Sequence, residues 1–363
     1  MLDRASRCFA ASLTCQRPRP RVFYQATYQG QRMPSRRQVV IGSSAVIVFA
    51  PFAAFPQGSV AKIPRIGYLQ ASMPQNGSSN FLEDFRQGLR ELGYVEGKNV
   101  QLEVRWGEGK LERLPALAEE LVRLNVDVIV AVNSPAVLAA KQATRTIPIV
   151  MPLSSDPVGD GLVASLARPG GNITGLSVMS RELGVKRLQL LKESFPGLSR
   201  PVAVLWNPDY VGMQARFLQA QRAAPAIGMG VSSVEVRNSG ELEHAIQAMD
   251  RQRPDALLIL ADPLTTSQRM RIVEFAAAER LPAMYEVSQF VDVGGLMSYG
   301  PNTDKIVSRA AIYVDKILKG AKPSELPVEQ PATFELVINL KSAKALGITI
   351  PPSILLQADR IIE

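Results

Sequence analysis

Short apolar runs alternate with stretches of helical period along almost the whole chain from residue 65 onward. Residues 65–70 (RIGYLQ) read as a buried strand, followed by a polar turn over 71–77. Phe81, Phe85, Leu89 and Leu92 recur at helical spacing, and Gly93 stops that helix. Residues 100–106 alternate as a strand, and 111–124 set Leu114, Leu117, Leu121 and Leu124 on one helical face. Residues 126–132 form a strand, 134–144 a helix and 147–153 the next strand. That strand stops at Ser154-Ser155-Asp156. Pro157 then opens a helix to about Leu166, Arg168-Pro169-Gly170-Gly171 ends it, and 173–178 begin another strand. Asp is a good N-cap, and Pro suits the first helical position because its missing N–H would be unbonded there anyway. The stretch predicts a small parallel βαβ unit.

The pattern then restarts. Residues 178–183 read as a crossing segment and 184–195 as a helix. Strands follow at 201–206, 231–236 and 256–261, with helices at 213–224, 241–251 and 266–279. Short strands at 282–285 and 296–299 flank 289–292, and 303–318 is one more helix. Residues 327–331 are extended, as a hinge strand would be; 334–340 form a strand, 342–346 a short helix, and Pro351-Pro352 leads into the tail. Unbroken alternation predicts an α/β fold with parallel sheets and helices on both faces. Two blocks of similar size and order predict two lobes. The expected division is 62–178 plus about 300–326 for one lobe, and 179–299 plus about 327–363 for the other.

One junction recurs: apolar strand, small polar residue, proline, helix. It stands at Asn133-Ser134-Pro135, Ser155-Asp156-Pro157, Asn207-Pro208-Asp209 and Asp262-Pro263, with Ser72-Met73-Pro74 a looser copy. In a parallel sheet such corners share one edge, beyond the carboxyl ends of the strands. Two such edges facing each other would enclose a small ligand. Asp156, Asp262 and Glu286 offer negative charge to an ammonium; Ser72, Asn133, Ser134, Ser155 and Asn207 offer neutral hydrogen bonds. No Arg or Lys stands at these corners, so a ligand carboxylate would rely on hydroxyls and on backbone N–H groups at helix starts. This mix favours a zwitterion such as an amino acid over a phosphate. Tyr68, Trp206, Tyr210 and Tyr299 are candidates for stacking on a sugar or an aromatic side chain, although Tyr68 and Trp206 read better as core. Asp262 reads equally well as a helix cap and as a ligand contact.

Charge changes the picture at one end only. The formal net charge of +8 comes mostly from residues 1–61, which hold eight Arg and a single acid, Asp3. Beyond them 33 basic and 32 acidic residues remain, so no nucleic-acid footprint is expected. Ser35-Arg36-Arg37-Gln38-Val39-Val40 precedes an apolar stretch over 39–55, and Ser59-Val60-Ala61 has the small-x-small form of a cleavage site. These features read as a cleaved export signal resembling the twin-arginine kind, with a periplasmic product. An uncleaved anchor is the alternative, but Gly42, Ser43, Ser44 and Pro51 make the apolar stretch mild for one. Residues 1–32 look unlike a signal n-region, which makes Met33 a candidate start.

Both cysteines, Cys8 and Cys15, fall in the leader, so the rest has no disulfide and no thiol nucleophile. One histidine, His244, argues against a zinc site, and it reads as an exposed helix residue. Gly170-Gly171 follows a helix instead of opening one, and no phosphate loop or nucleophile elbow is present. Neither catalytic residues nor a cofactor is expected.

Six segments carry a family resemblance: RIGYL (65–69), LGYVEGKN (92–99), IPIV (147–150), SDPVG (155–159), LARPGGNITG (166–175) and FELVINLK (334–341). The chain resembles the ABC-transporter substrate-binding proteins of the tryptophan/tyrosine-binding type, over about 63–363. The resemblance implies a type I periplasmic-binding-protein fold: two Rossmann-like lobes, three hinge crossings and a ligand closed between them. It also implies delivery of that ligand to an inner-membrane ABC permease with its ATPase. A monomer is expected. By position in such a fold, Ser72, Asn133, Ser134, Ser155, Asp156, Asn207, Asp262 and Glu286 face the cleft, with Tyr210 beside them. Two other readings stay open: a sensor for a membrane signalling protein, and a nucleotide-dependent enzyme, which would need a cofactor loop the sequence lacks.

Overall fold

The computed structural model describes residues 62–72 and 80–363. The export signal in 1–61, and Met73 and Pro74 of the looser corner, lie outside the described residues.

The first sheet is built from β1 (Arg65–Gln70), β2 (Gln101–Trp106), β3 (Val128–Val132), β4 (Ile149–Ser154) and β5 (Ile173–Ser177). Its order is β2-β1-β3-β4-β5, with every pairing parallel. Helices α1 (Phe81–Glu91), α2 (Leu114–Arg123) and α3 (Ser134–Ala143) connect the first four strands. β3 and β4 are buried along their whole length, which is why they read as continuous apolar runs without alternation.

The link from β4 to β5 is not the helix that its Asp-Pro start predicts. Asp156 Oδ1 accepts from the Gly159 N–H at 2.8 Å, and the N–H groups of Leu162 and Val163 both reach the Pro157 carbonyl, at 2.9 and 3.1 Å. The chain turns on itself there instead of winding on. Leu162 and Val163 are thereby buried against the sheet.

The second sheet holds β6 (Val202–Trp206), β7 (Val231–Glu235), β8 (Ala256–Ile259), β9 (Ala283–Tyr285), β10 (Met297–Gly300), β11 (Glu335–Asn339) and β12 (Arg360–Ile362). Its order is β12-β11-β10-β9-β8-β6-β7, parallel except for the β10–β11 pair. β12 lies in what the sequence pattern leaves as tail. α4 (Ser180–Ser194) leads into β6, and between these strands run α5 (Met213–Ala223), α6 (Leu242–Gln252), α7 (Pro263–Ser267) and α8 (Arg269–Ala278). α4 starts four residues before its expected position, and the helix expected over 266–279 is two helices joined at Gln268. Then come α9 (Thr303–Leu318), α10 (Leu340–Leu346) and α11 (Pro352–Leu355).

α9 follows a strand of the second sheet but packs on the first, against α1, β3, β4 and β5. A Cβ at Gly88 of α1 would sit 2.2 Å from the Ser308 carbonyl, so only glycine lets the two helices come this close. The chain therefore passes between the sheets three times: after β5, after β10 and after α9. Two of these crossings bond to each other, through Ser177 N–H to the Glu329 carbonyl at 2.8 Å and Glu329 N–H to the Gly175 carbonyl at 3.0 Å. Apolar clusters cover both faces of each sheet. Among the described residues, no helix is long and apolar enough to cross a membrane.

Candidate functional site

The corners that follow the strands of the two sheets meet around one cavity. The first sheet contributes Ser72 after β1, Asn133 after β3 and Ser155 after β4. The second contributes Tyr210 after β6, Ala261 and Asp262 after β8, and Glu286 after β9. Phe81, Leu153, Val178 and Val287 give it apolar wall, and Thr303 stands at the second crossing. A crevice beyond the carboxyl ends of parallel strands is where open α/β sheets hold ligands.

Each polar wall residue is positioned by its surroundings. The buried Tyr68 hydroxyl donates to Gln70 Oε1 at 2.9 Å, and Gln70 Nε2 donates to Ser72 Oγ at 2.9 Å. Tyr68 itself packs between Phe85 and Trp106, and burial pushes its phenol well above its usual pKa. Asn133 is the N-cap of α3, yet its side chain makes no cap bond. Its backbone, at φ 76° and ψ 153°, occupies a region almost reserved for glycine. Its amide is thus left unused by its own helix, and the residue lines the cavity.

Three of the expected site residues are placed beside the cavity wall instead of on it. Ser134 is buried and its hydroxyl donates to Asp160 Oδ2 at 2.9 Å. The Asp156 carboxylate closes its own turn. Asn207 is buried, and its Nδ2 donates to Asp262 Oδ2 at 2.9 Å. Asp262 also accepts at Oδ1 from the Thr265 N–H (2.6 Å) and the Thr265 hydroxyl (2.7 Å), while its own N–H donates back to Thr265 Oγ1 at 3.0 Å. This capping box fixes α7. Burial nevertheless raises the Asp262 pKa, with the bonds from Thr265 and Asn207 pulling against it. A cationic ligand group beside it would restore what burial removes. The aromatic candidates divide in the same way. Tyr210 lines the cavity; Trp206 stacks on Phe217 in the core, and Tyr299 packs on Phe334.

Glu286 needs a correction. It borders the cavity, but its carboxylate is not available to an ammonium. Oε1 accepts from Arg187 Nη1 at 2.6 Å, Oε2 accepts from Arg216 Nη2, and the Ala261 N–H donates to Oε2 at 2.7 Å. All three side chains are almost wholly out of water, at 0%, 4% and 2% exposure for Arg187, Arg216 and Glu286. Burial lowers the two guanidinium pKa values to about 9 and about 10, so both remain charged at neutral pH. The corners carry no cation in the sequence because these two arrive from α4 and α5. Their signal was legible: Arg187 falls on the helical face shared by Leu183, Leu190 and Leu191, and Arg216 on the face of Met213, Phe217 and Ala220. A cation on an apolar stripe requires a buried partner.

Among the described residues, no group of three or more His, Cys, Asp or Glu side chains is placed to hold a metal ion.

The profile of the ABC transporter substrate-binding proteins matches residues 74–362. The chain belongs to that family. The tyrosine-binding protein of Clostridioides difficile is 27% identical over 263 residues, which are 72% of this chain and 75% of that protein. Among solved structures, a conserved domain protein of Vibrio cholerae is 30% identical with a TM-score of 0.76, covering 83% of this chain and all of the other. The complex of an ABC domain from Streptococcus pneumoniae with L-tryptophan is 27% identical with a TM-score of 0.75, covering 82% of this chain and 99% of the other. This substrate-binding protein thus has the two-lobed type I periplasmic-binding fold. Its family serves ABC transporters as a receptor of small molecules, not as an enzyme.

Proposed function

We propose that this substrate-binding protein is a periplasmic receptor that closes on an amino acid with an aromatic side chain and hands it to an ABC permease driven by its ATPase. One observation carries the reading: neutral hydrogen-bonding groups line the first-sheet side of the cavity, and a buried carboxylate, Asp262, lines the other. That asymmetry suits a zwitterion in one orientation. The ligand carboxylate would lie against Ser72, Ser155 and Asn133 at the start of α3, and the ammonium toward Asp262. Phe81, Leu153, Val178 and Val287 would take the side chain. Ser134, Asp156, Asn207 and Glu286 act behind these contacts, and Tyr210 closes over them. The relatives that bind tyrosine and L-tryptophan support the same ligand class. Export of this receptor by the Arg36-Arg37 signal, action as a monomer, and lobes comprising 62–178 plus about 300–326 and 179–299 plus about 327–363 complete the proposal.

Calorimetric titration with L-tryptophan, L-tyrosine and their D-isomers tests it. The expected result is saturable one-site binding of an L-isomer, with the D-isomer at least tenfold weaker because it cannot satisfy both charged ends. Absence of binding by all twenty amino acids would overturn it.

A further inference from the structure

Beside the cavity the two lobes approach each other through residues that do not line it. On the first-sheet side, Ser134 Oγ orients the Asp160 carboxylate through Oδ2. On the second-sheet side, the turn after β6 brings Gly212 against that same carboxylate. A Cβ built on Gly212 would sit 2.6 Å from Asp160 Oδ1. Gly212 has φ +76° and is the N-cap of α5, with no side chain to bond the first N–H groups of that helix. Helix N-termini carry partial positive charge and favour an anion. Asp160 brings one from the opposite lobe. Its charge is also felt by Arg216, one turn into α5. Beside this contact, the Ser134 backbone N–H faces the Tyr210 phenol oxygen.

We propose that Asp160 and the Tyr210–Gly212 turn form an inter-lobe latch that sets how much of the protein is closed before ligand arrives. The latch exists only when the lobes meet, so it stabilises the closed form selectively. Apparent affinity scales with the fraction of protein in the binding-competent form. Asp160 is therefore a positioning residue: it tunes affinity without touching the ligand. The proposed occupant of the cavity enters only the second half of the test.

The test uses the full chain with Cys8 and Cys15 changed to serine and one cysteine introduced on each lobe, at exposed Glu91 and Glu279, for spin labels. Without ligand, the distance distribution of this parent should be dominated by the short, closed separation. Asp160→Asn should move a substantial fraction to longer distances with an unchanged melting temperature. Gly212→Ala should do the same from the opposite lobe, by strain and by collision with Asp160. The apparent Kd for L-tryptophan should rise roughly five- to tenfold in both variants, in step with the lost closed fraction. Identical distance distributions in parent and variants would overturn the latch. Weaker binding with an unchanged distribution would also overturn it, because Asp160 would then be a direct ligand contact. A shifted distribution in a protein that binds no amino acid would leave the latch standing and remove the proposed ligand instead.

Discussion

The two walls of the cleft are built on opposite principles. The second-sheet wall pairs its charged side chains within its own lobe. Glu286 is shared between two arginines and a backbone N–H, and Asp262 is bonded by Thr265 and Asn207. The first-sheet wall is unfinished. Asn133 caps nothing and sits in a strained backbone conformation. On the proposed reading the contrast separates scaffold from recognition, except at Asp262, which is held by its own lobe and still lines the cavity.

The largest effect expected from breaking this contrast is at Glu286. Glu286→Gln leaves two buried guanidinium groups without the carboxylate they share. It should destabilise the protein by about 3–5 kcal/mol in urea titrations. Replacing Arg187, Arg216 and Glu286 together by Met, Met and Leu should recover most of that loss, because apolar packing substitutes well for a buried charge network. If the single variant loses less than about 1 kcal/mol, the second wall is not the scaffold described here.

Asn133 should behave in the opposite way. Asn133→Gly removes a conformation that costs on the order of 1–3 kcal/mol, so stability should rise by about 1 kcal/mol. The same change deletes an amide facing the cavity and should weaken amino-acid binding about tenfold, the worth of a hydrogen bond to a charged group. Gain of stability with loss of affinity is the signature of a recognition residue. Stability and affinity falling together would mark Asn133 as ordinary structure.

Most of the fold was legible because strand-to-helix corners announce themselves locally. Asp262-Pro263 follows an apolar run, and the capping box that results needs only residues 262–265. The link after β4 departs from the expected helix for a related reason. Asp156-Pro157 has the same local form, but Gly159 lets the Asp156 side chain close a turn, and burial of Leu162 and Val163 against the sheet favours the turn over a helix. β12 was missed because a three-residue edge strand gains its order from β11, distant in sequence. At the site, the corners located the cavity, since all parallel strands point their carboxyl ends the same way. What they did not reveal was pairing. That Glu286 is neutralised by Arg187 and Arg216 depends on helices 99 and 70 residues away in the chain, and no local pattern encodes which carboxylate two buried cations will share.

The smallest predicted effect concerns Asp84, in the first turn of α1, and its pH dependence. Burial, followed by the neighbouring charges of Asp304 on α9 and Glu83 on α1, raises the Asp84 pKa to about 6 from 3.8. Its folded pKa exceeds its unfolded one, so the folded state binds this proton more tightly. The resulting stabilisation is present in full below about pH 4 and is lost as pH rises through about 6. Asp84→Asn removes the ionisation and should flatten that decline, leaving the variant slightly more stable than the parent at pH 7 and little changed at pH 4. Melting temperatures collected at half-unit steps between pH 4 and 7 read this directly. Parallel curves for parent and Asp84→Asn would mean that burial of this carboxylate costs no stability at neutral pH.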